Sequence, residues 1–138
     1  VYRINVRRQC KLNTLFSLAA ISLGATLGAW LRWGLSLLFN PMFPMIPLGT
    51  LLANCLGGYL IGVATAFFEY NTLLSPQIRL LIITGFLGGL TTFSTFSSEV
   101  VNLLSRHAYI SALGCIMLHL FGSLSMTMLG MATVERLH

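Results

Sequence analysis

Charge is what this sequence has least of. Only 8% of its residues are charged, and the acids are three, Glu69, Glu99 and Glu135. Soluble domains carry roughly 25% charged residues. Hydrophobic residues make up 56% of the 138, and a soluble fold of this length would leave many of them in exposed patches that aggregate. A bilayer removes that conflict, because lipid is the solvent apolar surface prefers. Cysteine is also sparse. Cys10, Cys55 and Cys115 are odd in number and fit no metal-ligand spacing. Cys55 and Cys115 fall in apolar runs and read as small buried residues. No nucleophile–base pair, ligand cluster or phosphate loop is present, so the sequence does not read as an enzyme. Nor does it read as a nucleic-acid binder, since no basic patch is interleaved with aromatics. The net charge is +5, yet four of the eight cations (Arg3, Arg7, Arg8, Lys11) crowd the first eleven positions. Such a cluster before a long apolar run signals topology or a lipid-headgroup contact.

What is present is four long hydrophobic segments. A span needs about 20 apolar residues, and the sequence predicts spans over about 12–39, 48–68, 76–105 and 108–134, in one transmembrane domain covering residues 1–138. The first apolar run is too long for a signal peptide and is read as a retained span. Pro41, Pro44 and Pro47 break the chain after it. Glu69-Tyr70-Asn71 and Ser75-Pro76 form a polar turn, with Pro76 suited to a helix's first turn. With four alternating spans, the N-terminus, second loop and C-terminus share a side. Glu69 then offsets Arg79 and Glu135 offsets Arg136, leaving the N-terminal cations. Arg32 and Arg106 lie opposite, so the bias toward an inside N-terminus rests on one cluster and a mixed topology stays open. Gly24/Gly28, Gly58/Gly62 and Gly85/Gly89 are GxxxG pairs that let helices approach closely. Four short spans hardly enclose a pore alone, so a homodimer is expected.

Polar groups at membrane depth are costly, and each needs an explanation. The densest set is the run from Gly85 to Glu99, where Gly88-Gly89 is followed by Thr91, Thr92, Ser94, Thr95, Ser97 and Ser98. One reading is an ordinary helix with hydroxyls bonded back to the preceding turn. The other is a mid-membrane break, which frees carbonyls for a cation and N–H groups for an anion. Phe93 and Phe96 are spaced i, i+3 and share a face; their positive ring edges suit a dehydrated anion. Asn54 offers two amide hydrogens to an anion, or serves to join helices. His119, Ser123 and Thr127 form an i, i+4, i+8 stripe that lines water or packs against a neighbour. Tyr59 and Tyr109 suit interface anchoring. Arg32 sits near a water boundary, snorkelling or drawing anions into a vestibule.

The run Gly88-Gly89-Leu90-Thr91-Thr92-Phe93-Ser94-Thr95-Phe96-Ser97, together with Gly49-Thr50-Leu51-Leu52-Ala53-Asn54 and Gly28-Ala29-Trp30-Leu31-Arg32-Trp33, closely resembles the CrcB/Fluc family of bacterial fluoride channels. The resemblance runs in order from about Leu15 to Leu129. It implies an all-α membrane protein of four transmembrane helices, the third broken, assembled as an antiparallel dual-topology homodimer in the inner membrane. It implies passive fluoride export that limits fluoride toxicity. On this basis Phe93, Phe96 and Asn54 match pore residues, and Ser94, Thr95, His119 and Ser123 match the polar track. The carbonyls of Gly88 and Thr91 match a structural sodium site at the dimer centre, and Arg32 matches a vestibule cation. The extension from Val1 to about Asn13 is longer and more basic than the family needs. A small proton-coupled multidrug exporter is the first rival, but its carboxylate is expected in the first span, which holds Arg32 and no acid. A non-transporting assembly subunit is the second.

Overall fold

In the computed structural model, which describes residues 2–43 and 46–137 and the side chains from Leu12 onward, four helices are long and apolar enough to cross a membrane. The first, α1 (Tyr2–Phe39), runs past the predicted start at residue 12. Nothing stops it, because no glycine or proline occurs before Gly24. The backbone of the basic cluster is therefore helical, while its side chains lie outside the described residues. A short 3-10 turn, Asn40–Met42, follows, with Pro41 in its first turn. Pro44 lies outside the described residues. Asn40 closes this connection by accepting a bond from the Gly49 N–H at 2.8 Å, in the first turn of α2 (Leu48–Tyr70).

The third apolar segment is not uniformly helical. It starts at Pro76 as an α-turn, Pro76–Arg79, takes π-type hydrogen bonding over Leu80–Leu87, and returns to α over Gly88–Leu90; residues 76–90 are called α3 below. Thr91 (φ −81°, ψ 152°) and Thr92 (φ −149°, ψ 117°) are extended, and a separate helix, α4 (Phe93–Ser105), begins after them. His107 then turns the chain sharply with a left-handed φ of 58°, and α5 (Tyr109–Leu137) completes the fold.

Glycine decides which helices touch. A Cβ on Gly28 of α1 would meet the Phe86 carbonyl and, at 2.7 Å, the Leu90 nitrogen of α3; one on Gly85 would lie 2.9 Å from the Gly24 Cα. The two GxxxG pairs thus form one seam between α1 and α3. The pair in α2 meets α5, where Gly58 approaches the Ser123 carbonyl at 2.8 Å for a Cβ and Gly62 the Thr127 carbonyl. Lipid gives no apolar driving force between helices, so association rests on such close contact. Ala53, Ala64, Phe68, Leu87 and Leu90 form the small buried core between these pairs. Most large apolar side chains point outward: Trp30, Trp33, Leu38 and Ile110 are exposed, as expected where lipid rather than water is the surrounding medium.

Candidate functional site

Three helix faces converge beside the interruption in the third segment. Thr50 and Asn54 are four residues apart on α2. Phe96 and Glu99 are three apart on α4. Cys115, His119 and Ser123 repeat every four on α5. Each spacing puts its residues on one side of its helix.

Asn54 holds the extended segment in place. Its Oδ1 accepts from the Thr92 N–H at 2.8 Å, and its Nδ2 donates to the Thr92 carbonyl at 3.0 Å. A side-chain amide here replaces both hydrogen bonds that a helix would have given this residue. Nδ2 also lies 3.1 Å from His119 Nδ1. Thr92 in turn caps α4, its Oγ1 accepting from the Thr95 N–H at 3.1 Å. The Thr92 hydroxyl also meets those of Ser94 (3.2 Å) and Thr95 (3.0 Å).

These diversions leave specific carbonyls behind. The Thr92 N–H would have continued the helix onto Gly88, and the Thr95 N–H onto Thr91. Both go elsewhere, so the Gly88 and Thr91 carbonyls lose their helical donors. The Gly89 carbonyl accepts from Arg32 Nε at 3.1 Å. Arg32 is thereby tied to the end of α3 as well as carrying charge near the boundary of the first span.

Around this segment opens a cleft of about 640 Å³. Asn54, Thr92, Phe93, Phe96, His119 and Ser123 line it, as do Gly88 and Thr91; the rest of the lining is glycine or aliphatic, with Ile61, Ile83 and Leu120 among it, and no charged side chain among the described residues reaches it. The Phe93 and Phe96 rings meet edge-to-face with centroids 5.6 Å apart, and Phe96 stacks on the His119 imidazole at 4.6 Å. Phe93 is 79% exposed in the single chain, so its ring faces outward from it. The structure thus brings Asn54, Phe93, Phe96, His119 and Ser123 to one wall. Ser94 and Thr95 do not line the cleft; their hydroxyls turn back to Thr92. Thr127 donates to the Ser123 carbonyl at 2.9 Å and lies beside Gly58, while Tyr59 lies 3.4 Å from the Thr133 hydroxyl.

Behind the cleft wall lies a second polar group that sequence reasoning did not assign. Thr50 donates to Glu99 Oε1. Glu99, Cys115 and His119 each offer an atom within 4.8 Å of the others. Glu99 Oε2 and His119 Nε2 are buried without a hydrogen-bond partner. The Thr50–Asn54 spacing was the available signal, since an i, i+4 polar pair inside an apolar span marks a face with a task.

The arrangement defines a small multi-pass membrane protein with an uncharged, largely apolar cleft at a helix interruption, into which a few hydroxyl, amide and ring groups are set. The chain belongs to the family described as CrcB-like protein, Camphor Resistance (CrcB), whose pattern matches residues 19–131. A relative from Tolumonas auensis is 62% identical over 123 residues, covering 89% of this chain and 97% of its own length. One from Pseudomonas putida is 61% identical over 119 residues (86% and 94%), and one from Nitrosospira multiformis 58% over 121 (88% and 94%). Each is called a fluoride-specific ion channel FluC. The four spans and these bacterial relatives identify a multi-pass protein of the bacterial inner membrane.

Proposed function

We propose that the chain is a passive, fluoride-selective channel that exports fluoride from the cytoplasm and performs no enzymatic reaction. The observation that carries this is the cleft at the interruption: the Phe93 and Phe96 rings, His119 and the Ser123 hydroxyl stand in an otherwise largely apolar lining, and no charged side chain among the described residues lines it. A small anion that sheds water there is offered several weak positive contacts, none strong enough to trap it. The names of the relatives supply the ion.

In this reading the interruption at Thr91–Thr92 is a mid-membrane break with a functional purpose. Phe93, Phe96, Asn54, His119 and Ser123 form the fluoride path, and Ser94 and Thr95 extend it beyond the cleft. Arg32 draws anions toward the vestibule. The functional unit is an antiparallel, dual-topology homodimer, because the single chain leaves Phe93 uncovered and the cleft open on one side. The Gly88 and Thr91 carbonyls, stripped of their helical donors, fit a structural sodium ion, and a two-fold axis would double the set. Bound there, sodium supplies a fixed positive charge that joins the two copies. Unsatisfied carbonyls at membrane depth need such a partner.

Fluoride and chloride efflux from liposomes, with and without sodium, tests the proposal. Fluoride efflux that far exceeds chloride, needs no proton gradient and depends on sodium is the expected result. Flux that follows a proton gradient would instead favour an exporter built on Glu99. No flux from correctly dimerised protein would favour an assembly subunit.

A further inference from the structure

Asn54 has a different task from the one its place in the cleft suggests. Its orientation is not free. Reversing the amide would set an NH2 group against the Thr92 N–H and an oxygen against the Thr92 carbonyl, the opposite of the two bonds at 2.8 and 3.0 Å. The Nδ2 end therefore faces His119 Nδ1 at 3.1 Å. An amide nitrogen only donates, so Nδ1 must accept. A neutral imidazole that accepts on Nδ1 carries its proton on Nε2. Both amide hydrogens are then committed, one to the Thr92 carbonyl and one to His119, and neither remains for an anion.

We propose that Asn54 is a positioning residue that locks His119 in the Nε2–H tautomer, so that the histidine rather than the asparagine carries the uncommitted hydrogen-bond donor, within the buried group it forms with Glu99 and Cys115. This rests on the channel reading above for its purpose, though not for its chemistry. The chain of constraint runs from the backbone of the interruption, through one amide, to one proton. His119 is 4% exposed and its Nε2 has no partner, so the locked N–H is a donor in a buried place. Stacking on Phe96 fixes the ring plane. The same tautomer argues against a metal ion on the Glu99–Cys115–His119 group. A metal needs the Nε2 lone pair, which the Nε2 proton occupies, and the alternative tautomer would set Nδ1–H against the Asn54 NH2 group.

The test is nitrogen NMR of the full chain in detergent micelles, labelled with 15N-histidine, at neutral pH. The two ring nitrogens are told apart by their couplings to the ring C–H protons. Comparison with His119→Gln separates this ring from His107 and His138. The wild-type protein is expected to show a directly bonded proton on Nε2 and none on Nδ1. In Asn54→Asp the side chain has no hydrogen to donate and accepts instead, so a proton appears on Nδ1. A wild-type spectrum with the proton on Nδ1, or on both nitrogens, overturns the proposal even if the variant fails to fold. So does an Asn54→Asp ring that keeps the wild-type pattern, the result expected if Asn54 were only structural. The spectrum reports on the ring itself, so its outcome is separable from any failure of the channel to conduct fluoride.

Discussion

The molecule has two kinds of helix contact, and they follow different rules. The seam between α1 and α3 is made of glycine against backbone, with Gly28 facing the Phe86 carbonyl and Gly85 facing the Gly24 Cα. The junction of α2, α4 and α5 adds polar contacts to such packing. There Asn54 reads the Thr92 backbone, Thr50 holds Glu99, and two buried polar atoms, Glu99 Oε2 and His119 Nε2, stay unpartnered. A purely structural interface would not keep orphaned polar atoms, because each costs about 1–3 kcal/mol. Close glycine-to-backbone contact builds the scaffold, between α1 and α3 and again where Gly58 and Gly62 of α2 meet α5, and the one polar bond across the first seam, Arg32 to the Gly89 carbonyl, is complete. Unfinished hydrogen bonding marks the part that does something.

The largest expected effect lies in the seam. A valine at Gly28 places Cβ against two backbone atoms of α3, neither of which can rotate away. Overpacking a core typically costs about 1–3 kcal/mol, and more where no side chain can yield. Gly28→Val should therefore abolish the folded protein, seen as loss of the monodisperse peak in size-exclusion chromatography. If Gly28→Val protein instead folds and conducts, the seam is not what holds α1 to α3.

In the junction, fold and function should part company. Phe96→Ile keeps an apolar side chain of similar bulk but removes the ring that meets both Phe93 and His119. Stability should change by less than about 1.5 kcal/mol, while fluoride efflux from liposomes falls at least tenfold; Phe93→Ile should behave alike. Normal conduction by both variants would remove the rings from the mechanism.

Local features were readable from the sequence because they are periodic. The four apolar segments, the Gly-Gly-x-Thr-Thr run, the Phe93/Phe96 spacing and the His119/Ser123 stripe need only a window of a few turns. The contacts that organise the site do not lie in such windows. Thr50 and Glu99 are 49 residues apart, Arg32 and Gly89 are 57 apart, and Asn54 and Thr92 are 38 apart. A single sequence says that Asn54 is polar where lipid surrounds it, but not which partner meets it. That is why both readings of Asn54, anion donor and helix join, stood open, and why Glu99 had no role.

Thr92→Val probes the junction more gently. Its hydroxyl caps α4 by accepting from the Thr95 N–H, while its backbone carries both bonds to Asn54. Valine keeps the β-branched shape and loses the hydroxyl, with its cap and its contacts to Ser94 and Thr95; the cap accounts for about 1 kcal/mol. Thermal unfolding in detergent should show that small loss, and Thr92→Ser should recover it. A loss several times larger would mean that the hydroxyls of Ser94 and Thr95 depend on Thr92 as a network.

The smallest expected effect returns to glycine and separates the two reasons a helix can contain one. Gly34 and Gly114 have open space where a Cβ would stand. Both lie inside helices, α1 and α5, where glycine is less favourable than alanine by about 0.5–1 kcal/mol through the backbone freedom it loses on folding. Gly34→Ala and Gly114→Ala should each leave the protein as stable or raise stability by up to about 1 kcal/mol. The same substitution at Gly28 or Gly62 should be strongly destabilising, because there the added carbon meets a neighbouring carbonyl. A loss of dimer at unchanged monomer stability in Gly34→Ala or Gly114→Ala would show that a second copy occupies the open space. That outcome would move the glycine from the lipid-facing surface into the interface between protomers, and would locate that interface on the chain.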